Sequence, residues 1–310
     1  MKKADPAMKR YSRTMLALLP LLSPTGAWAQ QASLPIAAPK AAPEQVSVPV
    51  QPAAANINIT PRRVIFDPAK RTEAVYVFNQ GTTPVTVDVA LVDNAMLPTG
   101  EIVPLARLAE RGAAAEAVGA KVRSAKPFVL AAPSRLTLPP GQGKTIRVRA
   151  TLADGAQTAE YRTHLTVTTV PAPDTGLTAE QAAAAEKGEL VLRIQSVFGI
   201  SIPLIVRGGT PDATGSIGAI AATTAREGPA LSVKLRRAGT TSLYGNLELR
   251  TDKEIVGVAR GIAVYPEADE REAVVPLLRP LKKGEVVTAI YSADDGKKAV
   301  TIASGTFTAP

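Results

Sequence analysis

From residue 56 onward, apolar side chains recur at every second position in short runs, and turn-forming residues close each run. Period-two alternation buries one face of an extended chain and leaves the other in water, so the pattern calls for β-strands and argues against a helical bundle or coiled coil. Val75 and Val77 alternate before Asn79-Gln80-Gly81, and Val85, Val87, Val89 and Leu91 alternate after it. Leu136 and Leu138 run into Pro139-Pro140-Gly141, and Ile146 and Val148 then alternate with Arg147 and Arg149. Each of these reads as a hairpin joined by turn chemistry. Tyr161, Thr163, Leu165 and Val167 make the next run, and Leu190 to Arg207 is a long β-rich segment ending at Gly208-Gly209. About seven strands in about 150 residues fit an immunoglobulin-like sandwich.

After Gly208-Gly209-Thr210-Pro211 the period restarts at Leu231-Val233-Leu235 and continues through Leu247-Leu249, Ile262-Val264, Val274-Val275, Val286 to Ile290, Val300-Ile302 and Thr306-Phe307. The expected fold is therefore all-β, with two immunoglobulin-like β-sandwich domains over 56–208 and 209–310. Two alanine-rich stretches, 104–126 and 172–189, interrupt the first domain. Alanine favours helix, and neither stretch sustains an apolar stripe, so both read as surface insertions with a helical turn or two.

The chain opens with Lys2, Lys3, Lys9, Arg10 and Arg13, followed by the apolar run Met15 to Leu22 and by Ala27-Trp28-Ala29. That order is a secretory signal peptide with cleavage expected after Ala29, and the run is too short to span a bilayer. Residues 1–29 carry a net +4 of the chain's +9, leaving +5 from Gln30 onward. This mild excess is weak support for nucleic acid as a partner. Residues 30–55, rich in Ala, Pro, Gln and Val, read as a disordered leader. No later stretch is long and apolar enough for a membrane span, so a mature chain in the bacterial periplasm, not inserted in a membrane, is expected.

There are no cysteines and one histidine, His164. Disulfides, thiol nucleophiles and Cys/His zinc sites are thereby excluded, and His164, mid-strand between Thr163 and Leu165 with no serine or carboxylate motif around it, is a poor catalytic candidate. No enzyme activity, cofactor or metal is expected. Glu267, Asp269, Glu270 and Glu272 cluster with Arg271 without calcium-loop spacing, and read as a solvated turn. Arg135, Arg147 and Arg149 could form a basic strip, but aromatics are not interleaved with them as single-strand nucleic-acid binding would require.

Four stretches resemble a known family, the PapD-like periplasmic chaperones of the chaperone–usher pathway, which assemble pili. They are Arg63-Val64-Ile65-Phe66-Asp67; Ala132 to Gln142 followed by Arg147-Val148; Glu160 opening the strand that reaches Val170-Pro171; and the segment closing at Ile205-Val206-Arg207. The resemblance implies two sandwiches in a boomerang arrangement and a function of binding. The chaperone lends a strand to a pilin-like subunit that lacks one, then delivers the subunit to an outer-membrane usher. It implies a donor face on Leu190, Leu192, Ile194 and Phe198, with Ser196 between them, and Arg63 as anchor for the subunit's C-terminal carboxylate. The family's second anchor is a lysine, where this chain has Pro203. Arg193, Arg162 or Lys144 could supply the charge instead. The resemblance further implies a structural interdomain cluster of Glu160, Arg207 and Asp294. A free chain, a self-capped homodimer and an usher-bound form all fit the sequence, and a secreted structural or adhesive sandwich protein is the competing reading.

Overall fold

The computed structural model describes residues 56–151, 160–171, 186, 196–293 and 299–310. The signal peptide, the leader, Leu190, Leu192, Ile194, Arg193 and Asp294 lie outside the described residues, as does the 172–189 insertion apart from Glu186. The described chain is all-β and forms two immunoglobulin-like sandwiches.

The first sandwich begins with β1 (Ile57–Thr60), β2 (Val64–Phe66), β3 (Thr72–Asn79) and β4 (Val85–Val92). A short hairpin of β5 (Asn94–Met96) and β6 (Ile102–Pro104) follows, and after it come β7 (Val129–Ala132), β8 (Arg135–Leu138), β9 (Gly143–Ala150), β10 (Glu160–Thr169) and β11 (Gly199–Arg207). One sheet has the order β1-β3-β9-β7 and the other β2-β11-β10-β4-β8. The order and the connections are those of an immunoglobulin sandwich, with the first strand divided between the two sheets at Pro61. The alternation read from the sequence fills the space between them. Val75, Val77, Val87, Leu138, Ile146, Val148, Leu165, Val167, Leu204 and Val206 are all buried in one cluster.

Neither expected hairpin forms. β3 and β4 lie in opposite sheets, as do β8 and β9, so Asn79-Gln80-Gly81 and Pro139-Pro140-Gly141 are turns that cross the core from sheet to sheet. Period two fixes which side of a strand faces inward, and strands from facing sheets satisfy it as well as paired neighbours do. Asn79 holds both crossings. Its fully buried side-chain amide donates to the carbonyls of Thr83 at 2.8 Å and Leu138 at 3.1 Å, and its side-chain oxygen accepts from the Gly81 amide at 2.9 Å. Its backbone also bonds Gln142 and Gly141.

The 104–126 stretch has the expected helical turns, a 3-10 segment over Leu105–Arg111 and α1 (Ala113–Gly119). It is more than a surface loop, because Leu108 and Ala115 bury themselves against Ala95 and Val103 of the β5–β6 hairpin in a small separate core.

The second sandwich contains β12 (Thr214–Ala225), β13 (Gly228–Ala238), β14 (Leu243–Arg250), β15 (Ile255–Val264), β16 (Glu270–Pro276), β17 (Val286–Ala293) and β18 (Val300–Thr308). Its sheets run β12-β13-β16 and β15-β14-β17-β18 around a core that includes Leu231, Val233, Leu247, Leu249, Val275 and Tyr291.

Asn79→Ala removes the amide that both sheet crossings depend on and leaves buried carbonyls without a donor. It should lower unfolding free energy by about 2 to 3 kcal/mol in urea titration. A loss within experimental error would show that the turns hold without it.

Candidate functional site

Three of the residues singled out in the sequence, Arg63, Glu160 and Arg207, meet where the two sandwiches touch. β10 and β11 pair antiparallel with Glu160 directly opposite Arg207, so the two side chains emerge side by side at the end of the sheet. Arg207 Nε donates to Glu160 Oε2 at 2.9 Å. The same carboxylate oxygen accepts the backbone amide and the hydroxyl of Ser242, both at 3.0 Å, just before β14 of the second sandwich. Glu160 is 2% exposed. The third described member of this cluster is therefore a serine, and Asp294, expected in that place, lies outside the described residues.

Period two carries the outward face of β10 from Glu160 to Arg162 and then to His164. Arg162 is buried and makes a two-pronged ion pair with buried Glu267, while Nη2 also donates to the Asn94 carbonyl at 2.9 Å. Its guanidinium lies 3.6 Å from the centroid of the Tyr265 ring. Glu267 is thus not part of a solvated turn. It is the second buried acid of the junction, and it also accepts the Met96 amide of the β5–β6 hairpin at 2.9 Å. One signal in the sequence points to this pair: an arginine two residues from Glu160 on a strand must point the same way as Glu160. Committed to Glu267, Arg162 is not a spare charge. Lys144 is on β9 in the other sheet.

Met96 makes the hairpin part of the joint as well. Met96 packs with Ile205, Ala263 and Tyr265 across the two sandwiches. The Glu272 amide donates to the Pro98 carbonyl at 2.7 Å, and Lys121 pairs with Asp269 at 3.1 Å. Gly100, at φ +85°, lets the turn lie on Arg271, whose guanidinium would stand 2.6 Å from a Cβ at that position.

Arg63 stands just before β2, which runs parallel to the C-terminal half of β11. Its Nη2 donates to the Ser242 hydroxyl at 3.1 Å and Nη1 to the Tyr265 hydroxyl at 3.4 Å, with the guanidinium 4.5 Å from the Tyr244 ring centroid. Nε has no partner, and no carboxylate among the described residues pairs with it. Of the three guanidiniums that bond or stack on Ser242 and Tyr265, Arg207 is paired with Glu160 and Arg162 with Glu267, whereas Arg63 has only hydroxyl and aromatic partners among the described residues. Such a group, half-buried on aromatic faces and with donors to spare, suits a carboxylate or similar anion. Burial raises the Tyr265 hydroxyl above its ordinary pKa, which keeps it neutral beside the arginine.

Among the described residues the edge next to Arg63 is open. β2 pairs only with Leu204 to Val206, whereas β10 pairs along all of β11, so Gly199 to Pro203 have a described neighbour on one side only. Ile202, Leu204 and Val206 face the core. The same period places Phe198 on that face, 40% exposed at the mouth of the sandwich, with its backbone still bonded to Thr169. A concavity of about 520 Å³, lined by Ile57, Ile59, Ile200 and Ile202 among others, lies beside this edge. Pro203 sits opposite His164 in the ladder. Among the described residues no three His, Asp or Glu side chains are placed to hold a metal ion.

His164 is 3% exposed and its Nδ1 has no partner. Burial, aided by nearby Arg162, pushes its pKa down from 6.5 to about 3. The folded state keeps the ring neutral while the unfolded chain takes a proton below 6.5. Between those values the unfolded state binds more protons, so stability is lost as pH falls, by up to about 1.4 kcal/mol per pH unit. His164→Leu should show a shallower loss between about pH 6.5 and 5 in urea unfolding; slopes equal to the parent's would contradict this. Arg207→Ala leaves the Glu160 carboxylate buried without its cation and should cost roughly 3 kcal/mol in the same assay. An unchanged midpoint would remove it from the joint.

No protein-family model matches the sequence, and no curated protein matches it. Solved structures similar to this chain include the YadV chaperone, 14% identical with a TM-score of 0.42 over 81% of this chain and 98% of that one. They also include the E. coli chaperone DraB, at 16%, 0.39, 83% and 98%. A third is the CsuC–CsuE chaperone–tip adhesion subunit complex of Acinetobacter baumannii, at 12%, 0.44, 80% and 99%.

Proposed function

We propose that this protein is a periplasmic assembly chaperone that holds a secreted, strand-deficient β-sandwich subunit by lending it a strand, then passes it to an outer-membrane usher. The observation that carries this reading is the half-open edge of β11 ending beside Arg63, a guanidinium without a carboxylate in its own cluster. A subunit strand laid along Gly199 to Pro203 would complete the backbone ladder. Its C-terminal carboxylate would meet Arg63 at the end of that track.

The chain upstream of β11 extends the same chemistry. Counting back from Phe198 with period two gives Ser196, Ile194, Leu192 and Leu190, a run able to fill an apolar groove in a client. Because Ile202 and Leu204 face the chaperone's own core on the same side, client and chaperone would share one continuous core. Pro203 supplies no charge, so in this chain the carboxylate anchor is Arg63 alone, assisted by the Tyr265 and Ser242 hydroxyls. The joint built on Glu160, Arg207 and Ser242 holds this anchor at the foot of the strand.

The test is affinity purification of the tagged mature protein from the periplasm of its host, with mass spectrometry of whatever co-elutes at equal stoichiometry. A small β-rich subunit bound one to one is expected. Ile194→Asp and Arg63→Ala should each abolish or strongly weaken that capture while thermal unfolding stays nearly unchanged. A clean monomer or homo-oligomer under conditions where surface fibres are made would overturn the proposal in favour of a secreted structural or adhesive sandwich.

A further inference from the structure

The β1-β3-β9-β7 sheet turns its second face outward, away from the core, and that face is positively charged. Arg147 and Arg149 on β9 are exposed, and neither is paired with a carboxylate among the described residues. Elsewhere on the surface several exposed arginines are neutralised: Arg135 by Asp88, Arg107 by Glu110 and Arg111 by Glu101. Arg135, grouped with Arg147 and Arg149 in the sequence, is in the opposite sheet and plays no part here.

What the sequence lacked around these arginines, pairing supplies. Tyr76 is opposite Thr145, and Phe78 is opposite Gly143, so both aromatics join the same face next to the arginine row. Their rings stack at 6.3 Å, and Tyr76 lies so close over Gly143 that a Cβ there would be 2.3 Å from it. Between these rings and the edge strand β1 lies a concavity of about 520 Å³, lined by Asn58, Ile59, Thr60, Arg62, Tyr76 and Phe78. Arg62, exposed and likewise without a carboxylate partner among the described residues, stands at its rim.

We infer that this face is a docking site for an extended acidic segment of a partner protein, on the other sheet from the strand-lending edge and adjoining it at Asn58, Ile59 and Arg62, which line both concavities. The concavity takes one apolar or aromatic side chain, and Arg147 and Arg149 take carboxylates beyond it. The spacing favours an extended occupant, because Thr145, Arg147 and Arg149 follow one another at about 6.8 Å, the side-chain repeat of a β-strand. An acid at every second position of an extended peptide therefore meets each arginine in turn. Arginine and tyrosine beside a pocket are also the side chains that carry most binding energy at protein interfaces. Two stacked rings at one end of the face do not make the succession of platforms a nucleic-acid strand uses.

The probe is a fluorescein-labelled peptide, Phe-Thr-Glu-Thr-Glu-Thr-Glu-Thr, titrated with the full mature chain, beside a control with lysine for each glutamate. The acidic peptide should bind and the basic one should not, and binding should weaken at about 0.5 M salt. Arg147→Glu with Arg149→Glu should lower affinity about tenfold or more. If that variant does not melt like the parent, Arg147→Gln with Arg149→Gln carries the same test. Tyr76→Ser should weaken the Phe-headed peptide and leave a Ser-headed version unaffected. Equal binding of acidic and basic peptides, or an affinity indifferent to the glutamine variant, overturns the inference. So does adsorption to phosphatidylglycerol vesicles or oligothymidine without peptide binding.

Discussion

The carboxylate of Glu160 is the constraint on which the rest of the joint depends. It is buried, and it reaches its charge partner only because Arg207 is opposite it in the ladder. It takes its remaining hydrogen bonds from Ser242, at the entrance to the second sandwich. A buried charge without these donors is costly enough that the β2-β11-β10-β4-β8 sheet and the start of β14 cannot separate independently. Arg162 and Glu267 repeat the arrangement one step along β10, with the ring of Tyr265 between the layers. Two buried ion pairs contribute little to net stability beyond what apolar side chains would give, and each ties the first sandwich to the second, Glu160 through Ser242 and Arg162 through Glu267.

The short hairpin and its helical insertion add a second kind of restraint. Met96 bonds through its amide to Glu267 and packs through its side chain on Ile205, Ala263 and Tyr265, so one residue belongs to both the polar and the apolar part of the junction. Against this rigid background Arg63 differs from Arg162 and Arg207. Its hydrogen bonds go to hydroxyls, and its charge is balanced by no acid of the cluster. In the function proposed above, a cation next to this strand edge would recognise a chain end, since the ladder would set the direction of the guest and the cation would mark where it stops.

Much of the fold was legible in the residues. Val75, Val77, Ile146, Val148, Leu165 and Val167 alternate in the sequence and are buried, because a strand has only two faces and a sandwich needs one of them dry. Pairing was not legible: Asn79 and the Pro139-Pro140-Gly141 turn look alike whether the next strand joins the same sheet or the facing one. Glu267 was misread for a related reason. Its acidic neighbours Asp269 and Glu270 are at the surface, and a run of acids does not disclose which one turns inward toward an arginine far away in sequence.

The sequence by itself determined the strand content, the inward faces, two sandwiches meeting near Gly208, and the candidacy of Arg63, Glu160 and Arg207, because these follow from local periodicity and recognisable short stretches. Tertiary structure decided which cations remain unpaired, which edge stays open, and which aromatics stand beside Arg147 and Arg149. Those are differences between groups brought together from distant parts of the chain. Charge balance and edge exposure exist only once the sheets have closed.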